Sequence, residues 1–139
     1  MLVSGSIEIA RPRGVVWDFV IDHANDPRWC RKVKAVETTG RGSWKVWHKP
    51  IPLRPSRVLA TTHLRIEQPA LLQIREEDAG SVFMVKYRLS PTRHGTLFTQ
   101  VSEFQWKRLP DLIQRVLAVG VRRDVVGQLR ALKRELEQI

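Results

Sequence analysis

Four polar side chains fall on the inward face of predicted β-strands, where apolar residues are expected: His48, Tyr87, Gln100 and Ser102. No catalytic motif assigns them a role, but His48 could act as a base near neutral pH and Tyr87 could donate a hydrogen bond to an enolate oxygen. An unpaired buried polar group costs about 1–3 kcal/mol. The four groups therefore indicate either an internal hydrogen-bond network or a cavity that holds water or a ligand.

The other residues that could do chemistry lack suitable partners in the sequence. Cys30 is the only cysteine, so no internal disulfide forms and we expect a buried, inert thiol. The histidines show no paired ligand spacing, and alternation places His48 and His63 on opposite sheet faces, so we expect no metal. The acidic run at residues 76–78 is expected to be solvated. Without a glycine-rich phosphate loop or a Gly-x-Ser-x-Gly motif, we also expect no cofactor.

Length and composition predict a single globular domain over residues 1–139. Hydrophobic residues make up 42% of the chain, which suffices for a core and is too many for disorder. Lys and Arg total 24 against 14 Asp and Glu, a formal net charge of +10, so acidic surfaces are natural partners and simple solubility is the alternative. We expect a cytoplasmic location, because neither a signal peptide nor an apolar stretch of about 20 residues is present.

The elements that position these residues follow from the apolar periodicity. A first strand covers about residues 3–10, and a helix runs from Pro12 to about Asp22. A very short second helix follows, with Asp26 as its cap and Pro27 as its first position, and runs through Trp29 and Cys30. Alternation then predicts six strands with short turns, typical of an antiparallel meander, at residues 33–39, 43–49, 56–67, 71–77, 81–90 and 96–107. The proline-rich segment Lys49–Pro55 is predicted to be an edge or an irregular loop.

The last predicted element is a long helix from Pro110 to Gln138, with a length of about 40 Å. Its apolar residues recur at spacings of mostly three to five, at Leu112, Val116, Val121, Val125, Leu129, Leu132 and Leu136. Gly120 and Gly127 lie inside it, and each is expected to mark a kink or a close approach of another backbone.

Alternation also assigns the strand faces. In strand 56–67 it places Val58, Ala60, Leu64 and Ile66 inward, opposite His63, Arg65 and Glu67. The remaining strands send aromatic and aliphatic side chains inward, including Trp44, Phe83, Phe98, Phe104 and Trp106. The predicted inner face is therefore mostly apolar, with the four polar groups among its members.

The chain resembles the polyketide cyclase/dehydrase branch of the START-like (SRPBCC) superfamily, which has a helix-grip fold. The resemblance is carried by four segments that read IEIARPRGVVWDFVID (7–22), NDPRW (25–29), RIEQPALLQIR (65–75) and YRLSPTRHGTLFTQVSEF (87–104). It implies an α+β fold in which a seven-stranded curved antiparallel sheet wraps around the long C-terminal helix, with two short helices between strands 1 and 2. Gly14 in the first helix and the prolines at positions 50, 52 and 55 depart from the family pattern, and the prolines affect the expected cavity entrance.

The resemblance implies a cavity between sheet and helix for a hydrophobic or amphipathic small molecule, lipid-like or polyketide-like. The expected lining residues are Trp44, His48, Leu64, Phe83, Tyr87, Phe98, Gln100, Phe104, Leu117 and Val121. Trp17 and Trp29 are expected to pack at one end. The alternative function is a cyclase, aromatase or dehydratase acting on a carrier-bound poly-β-carbonyl chain, so the sequence leaves open whether the protein is an enzyme.

The basic residues suggest a third activity, at the outer face of the sheet. Those predicted to lie there are Lys34, Lys45, Lys49, Arg65, Lys86, Arg88 and Lys107. They would attract an anionic membrane surface or an acidic acyl-carrier protein. Basic residues alternate with aromatic ones in KVWHK (45–49), as in single-strand nucleic-acid binders. No nucleic-acid-binding motif accompanies them, so we do not expect a nucleic-acid partner. The oligomeric state is left open.

Overall fold

The computed structural model describes residues 1–49 and 57–138 and confirms the predicted α+β architecture. The helices are α1 (Arg13–Ile21), α2 (Asp26–Trp29) and α3 (Asp111–Glu137), with a short 3-10 helix (His23–Asn25) before α2. The strands are β1 (Leu2–Ile9), β2 (Val33–Gly40), β3 (Ser43–His48), β4 (Arg57–Glu67), β5 (Leu71–Glu77), β6 (Ser81–Pro91) and β7 (Thr96–Trp106). Apart from Lys49, the segment predicted as an edge or irregular loop lies outside the described residues.

The seven strands form one curved sheet in the order β1-β7-β6-β5-β4-β3-β2, and each neighbouring pair is antiparallel. Among these strands, only the β1–β7 pairing joins two that are distant in sequence, as expected for a meander closed by its first strand. In the β6–β7 register Phe83 lies opposite Phe104, and the two rings stack with their centroids 5.3 Å apart. Cross-strand aromatic pairs of this kind stabilise a sheet beyond the area they bury.

The core lies between the inner face of the sheet and the helices. Strand β6 shows the expected period of two, since Phe83, Val85, Tyr87 and Leu89 are all buried. Trp17 and Trp29 are each 1% exposed, which confirms that they are packing residues at the end of the core formed by α1 and α2. The same end receives the rings of Tyr87 and Phe98, 5.8 and 6.2 Å from Trp29.

Helix α3 is packed unevenly along its length. Its C-terminal half buries Val125, Gln128, Leu129, Ala131, Leu132 and Leu136. Its N-terminal half leaves Leu112 and Val116 72% and 66% exposed, although the sequence pattern placed both on the inward face. None of the helices in the described ranges has both the length and the apolar character of a membrane span.

The close contact between the sheet and α3 is made at Gly5 of β1 and not at the glycines of the helix. A Cβ atom on Gly5 would lie 3.0 Å from Leu129 Cδ1, so the glycine lets β1 pack tightly against α3. A Cβ on Gly120 or Gly127 would meet no heavy atom of the described residues within 4 Å. The expectation of another backbone at these two positions is therefore wrong.

The predicted facing of β4 is also wrong. Leu59 and Thr61 are 1% exposed, whereas Leu64 and Ile66 are 48% and 51% exposed. The strand therefore sends its odd-numbered residues inward as far as His63. The cause of the mixed pattern beyond that point is a bulge, because the register between β4 and β5 shifts between His63 and Arg65. One extra residue in a strand exchanges the faces of the residues that follow.

Candidate functional site

A small cavity lies between the inner face of the sheet and α3. Its volume is about 30 Å³, room for two or three water molecules, since one water needs roughly 10–15 Å³. The wall combines apolar and polar side chains from α2, β2, β3, β5, β6, β7 and α3. They are Asp26, Cys30, Lys32, Val33, His48, Glu76, Phe83, Val85, Tyr87, Gln100, Ser102, Val121, Val125 and Gln128.

Three amide and hydroxyl side chains make the polar patch nearest α3. Gln100 Nε2 donates to Ser102 Oγ at 3.3 Å and to Gln128 Oε1 at 3.4 Å. The carbonyl oxygen Oε1 of Gln100 is buried and receives no hydrogen bond from any described residue. A buried acceptor without a donor costs about 1–3 kcal/mol. The patch is therefore incomplete without a donor from a water molecule or a ligand in the cavity.

His48 reaches the cavity from the end of β3. It is 4% exposed, and Arg57 Nη2 lies 3.4 Å from its Nδ1. Burial, followed by the positive charges of Lys32 and Arg57, lowers the pKa of His48 to about 3. The imidazole is therefore neutral at physiological pH and is a weak base, whereas an efficient general base has a pKa near the working pH.

Two carboxyl groups also line the cavity, and the sequence had assigned neither to it. Glu76 faces inward from β5, and burial raises its pKa despite the opposing charge of Lys32. The expectation of a solvated acidic run is thus wrong for Glu76. It holds better for Glu77, which forms ion pairs with Arg75 and Lys107 at the surface. Burial likewise raises the pKa of Asp26, although its hydrogen bond to His23 opposes the shift.

Two further titratable groups of the wall, Tyr87 and Cys30, are uncharged. Burial raises the pKa of Tyr87 well above its ordinary value, so the phenol keeps its proton and can donate it in a hydrogen bond. Cys30 is buried and its pKa is raised well above the usual value for the same reason. A protonated, enclosed thiol is a poor nucleophile, which agrees with the expected inert cysteine.

Five of the ten predicted lining residues reach the cavity: His48, Phe83, Tyr87, Gln100 and Val121. Phe98 and Phe104 are buried in the surrounding core, and Leu117 packs against that core from α3. Trp44 lies against the rings of His23 and His63. Leu64 is on the solvent side of β4 and does not contribute.

His63 is on the inner side of β4, so the prediction that it faces away from His48 is wrong. No group of three or more His, Cys, Asp or Glu side chains within residues 1–49 and 57–138 is arranged to hold a metal ion.

The model of a protein family described as polyketide cyclase / dehydrase and lipid transport matches residues 2–137 of the chain. A search of curated proteins finds no match. The START superfamily protein from Mycobacterium smegmatis superposes with a TM-score of 0.81 at 16% sequence identity, covering 99% of this chain and 97% of that one. TTHA0849 from Thermus thermophilus gives a TM-score of 0.81 at 12% identity, covering 99% and 98%.

One similar structure carries a biosynthetic name. The di-domain ARO/CYC StfQ from the steffimycin biosynthetic pathway gives a TM-score of 0.77 at 12% identity, and the match covers 99% of this chain and 50% of StfQ. At these identities the structural matches show a shared fold, the START-type helix-grip arrangement, and do not by themselves transfer an activity.

Proposed function

Because the chain belongs to the polyketide cyclase/dehydrase and lipid transport family, we propose that it binds a hydrophobic or amphipathic small molecule, lipid-like or polyketide-like, between the sheet and α3. The observation that carries this proposal is the buried, unpaired carbonyl of Gln100 in a wall where polar side chains are mixed with apolar ones such as Phe83 and Val121. Ligand sites commonly combine an apolar lining with a few placed polar groups. A ligand hydroxyl would supply the missing donor.

The cavity must enlarge to accept such a ligand. At about 30 Å³ it is far smaller than the roughly 300–1,000 Å³ of small-molecule pockets. The wall that is easiest to move is the N-terminal half of α3, where Leu112, Ile113, Val116 and Val119 are exposed and contribute little to the core. We therefore place the entrance beside this half-helix, where a ligand would separate Leu117 and Val121 from the sheet.

Uptake of a neutral apolar dye tests the proposal. N-phenyl-1-naphthylamine avoids attraction to the basic surface, and its fluorescence should rise to saturation as it enters the cavity. Ser102→Leu places a larger side chain in the wall and should weaken the dye's affinity by about tenfold or more, since overpacking a filled site costs about 1–3 kcal/mol. Ser90→Leu is the matched control, because Ser90 is exposed on β6. No uptake by the wild-type protein, or equal uptake by Ser102→Leu, would refute ligand binding.

A second candidate is cyclisation, aromatisation or dehydration of a carrier-bound poly-β-carbonyl chain. The observation that favours it is the convergence of Asp26, Lys32, His48, Glu76 and Tyr87 on one cavity. Removal of an acidic C–H proton needs a base, and the enolate oxygen needs a donor. Tyr87 suits the role of donor. The low pKa of His48 makes it a poor base at neutral pH, so one of the carboxylates is better suited.

Product analysis with a poly-β-carbonyl thioester tests the second candidate. The wild-type protein should change the distribution of cyclised products from the spontaneous one, and His48→Ala should leave the changed distribution in place. Loss of the change in His48→Ala would restore His48 as the base. A wild-type distribution equal to the spontaneous one would reject the enzyme and leave ligand binding untouched.

The outer face of the sheet is proposed as the contact for an acidic partner, either an anionic membrane or an acidic acyl-carrier protein. Lys34, Lys45, Arg65, Arg88 and Lys107 are exposed there, and attraction to an anionic surface contributes about 1 kcal/mol per nearby basic residue. Retention on vesicles containing phosphatidylserine should fall steeply with salt. Equal retention on neutral vesicles would exclude an electrostatic membrane contact.

A further inference from the structure

Asp26, His23 and His63 form a hydrogen-bonded chain that the sequence did not indicate. Asp26 Oδ2 lies 2.9 Å from His23 Nδ1, and His23 Nε2 lies 2.7 Å from His63 Nε2. His23 is 2% exposed, while His63 is half-buried and forms the outer end. We call these three residues the Asp–His–His chain. It leads from the cavity wall to the protein surface.

The surrounding structure fixes the positions of the three side chains relative to one another. Asp22 Oδ1 accepts a hydrogen bond from the backbone N–H of Ala24, and Asn25 Nδ2 donates to Phe19 O, which together fix the turn that carries His23 and Asp26. The indole of Trp44 packs against both imidazoles, with centroid distances of 4.6 Å to His23 and 4.4 Å to His63. The chain is therefore preorganised, as a proton path requires.

The inner end of the chain opens onto the cavity. Asp26 lines the cavity wall, and its hydrogen bond to His23 is made by Oδ2, so His23 does not occupy the second carboxylate oxygen, Oδ1. The other titratable groups near this end are Asp22 beside the turn, Glu76 from β5 with Lys32 next to it, and the uncharged Cys30 and Tyr87 of the cavity wall. One oxygen of Asp26 is thus held by His23, and the other is the oxygen through which Asp26 can contact a molecule in the cavity.

The protonation preferences of the two histidines suit a relay. Burial alone would lower the pKa of His23, but the hydrogen bond and charge of Asp26 outweigh it, so the pKa is raised. Burial, and then the neighbouring His23, lower the pKa of His63 to about 4. A proton relay along this chain starts from an Asp26 carboxylate, a His23 imidazolium and a neutral His63 that accepts the proton of His23 Nε2.

We propose that Asp26 is the acid–base group of the cavity and that His23 and His63 pass protons between it and solvent. This inference rests on the proposed function in requiring a ligand in the cavity, and it specifies that ligand as a carbonyl compound with an acidic neighbouring C–H. The C–H bond breaks, its electron pair moves into the carbonyl to give an enolate, and the proton binds Asp26 Oδ1.

Neutralising Asp26 removes the counter-charge of His23. His23 then gives its Nε2 proton to His63 Nε2, and His63 releases its Nδ1 proton to water. Asp26, His23 and His63 end uncharged, so one proton has moved from ligand to solvent. The reverse sequence returns a proton to the carbon or oxygen of the ligand. Asp26 is the catalytic residue in this scheme, and His23 and His63 are positioning residues.

Deuterium exchange into 2-tetralone, an apolar ketone whose C1 protons are acidified by both the carbonyl and the aromatic ring, tests the proposal. In D₂O near neutral pD, followed by proton NMR, the wild-type protein should exchange these protons about 100-fold faster than Asp26→Asn, the lower end of the effect of a positioned general base. His63→Gln should be slowed at least severalfold and be restored by added imidazole, because its site is half-buried and reachable. His94→Gln, which alters an exposed histidine, should match the wild type.

Two measurements separate failure of this proposal from failure of ligand binding. If 2-tetralone displaces the dye but Asp26→Asn exchanges it as fast as the wild type, the acid–base role is overturned and ligand binding stands. If the ketone does not bind, the protein does not bind ligands of this class. A ¹⁵N NMR titration of the histidine rings then tests the Asp–His–His chain. The proposal then requires that Asp26→Asn lower the midpoint of His23 and that His23→Gln raise that of His63. Rings that titrate independently would overturn it.

Discussion

Replacing His48 by glutamine should reduce the amount by which the free energy of unfolding falls as the pH is lowered. His48 is 4% exposed and has the positively charged Lys32 and Arg57 near it. Protonating the imidazole in the folded state therefore places a third positive charge in a poorly solvated space. In the unfolded chain water solvates the same proton, so acid favours unfolding. Glutamine preserves the polar character of the site and has no proton to bind near neutral pH.

The magnitude follows from the difference in pKa between the two states. The pKa of His48 falls from 6.5 to about 3 on folding. Below pH 6.5 the unfolded state binds the proton and the folded state does not, so the free energy of unfolding falls as the pH is lowered and stops falling near pH 3. At 1.36 kcal/mol per unit the full effect is about 5 kcal/mol, of which about 3 kcal/mol is lost by pH 4.

Urea unfolding of both proteins between pH 8 and pH 4 measures this difference directly. The free energy of unfolding of the wild type should fall more steeply below pH 6.5 than that of His48→Gln, whatever the offset between the two curves at pH 8. His94→Gln is the control, since the exposed His94 should leave the wild-type slope unchanged. Parallel curves for wild type and His48→Gln would show that the buried imidazole accepts a proton freely, which contradicts its assigned environment.

Three further substitutions test the backbone geometry and packing of the fold. Gly95→Ala should cost about 3 kcal/mol or more in urea unfolding, because φ is +155° and a Cβ would lie 2.2 Å from Ile9 O. Gly120→Ala should stabilise α3 by up to about 1 kcal/mol, since its Cβ meets open space, and a loss of stability would contradict that. Leu132→Ala removes a side chain that is 0% exposed and should cost about 2–5 kcal/mol, so a thermal midpoint equal to that of the wild type would exclude the observed packing.

The fold was predictable because its periodic signals are strong and mutually consistent. Alternation in β6 and β7 and the spacing of apolar residues in α3 fix which faces meet, and the short turns require an antiparallel order. The alternation pattern did not assign the faces of β4, because apolar side chains occur at both its odd-numbered and its even-numbered positions. Leu59 and Leu64 are equally suited to a core by composition. Local periodicity cannot decide between them, because the bulge depends on pairing with β5.

The cavity was only partly predictable for a related reason. Inward polar residues such as Gln100 stand out against apolar neighbours on the same face. Glu76 follows Ile74 on the inner face of β5, but its place beside Glu77 and Asp78 suggests a solvated turn. The pairing of His23 with Asp26 leaves one faint signal, a histidine three residues before an aspartate in a turn. The contact with His63 leaves none, since it joins segments 40 residues apart.

The uneven packing of α3 explains how a nearly filled interior is compatible with the ligand binding that we propose. Opening the N-terminal half of the helix separates only Leu117, Ala118 and Val121 from the core, and each of them is only partly buried. The lost burial amounts to a few kcal/mol at about 25 cal/mol per Å² of apolar surface. An apolar ligand that covers the same side chains restores that burial. Val125 and Leu129, at 3% and 4% exposed, keep the C-terminal half in place, so the protein can enlarge its cavity without unfolding its core.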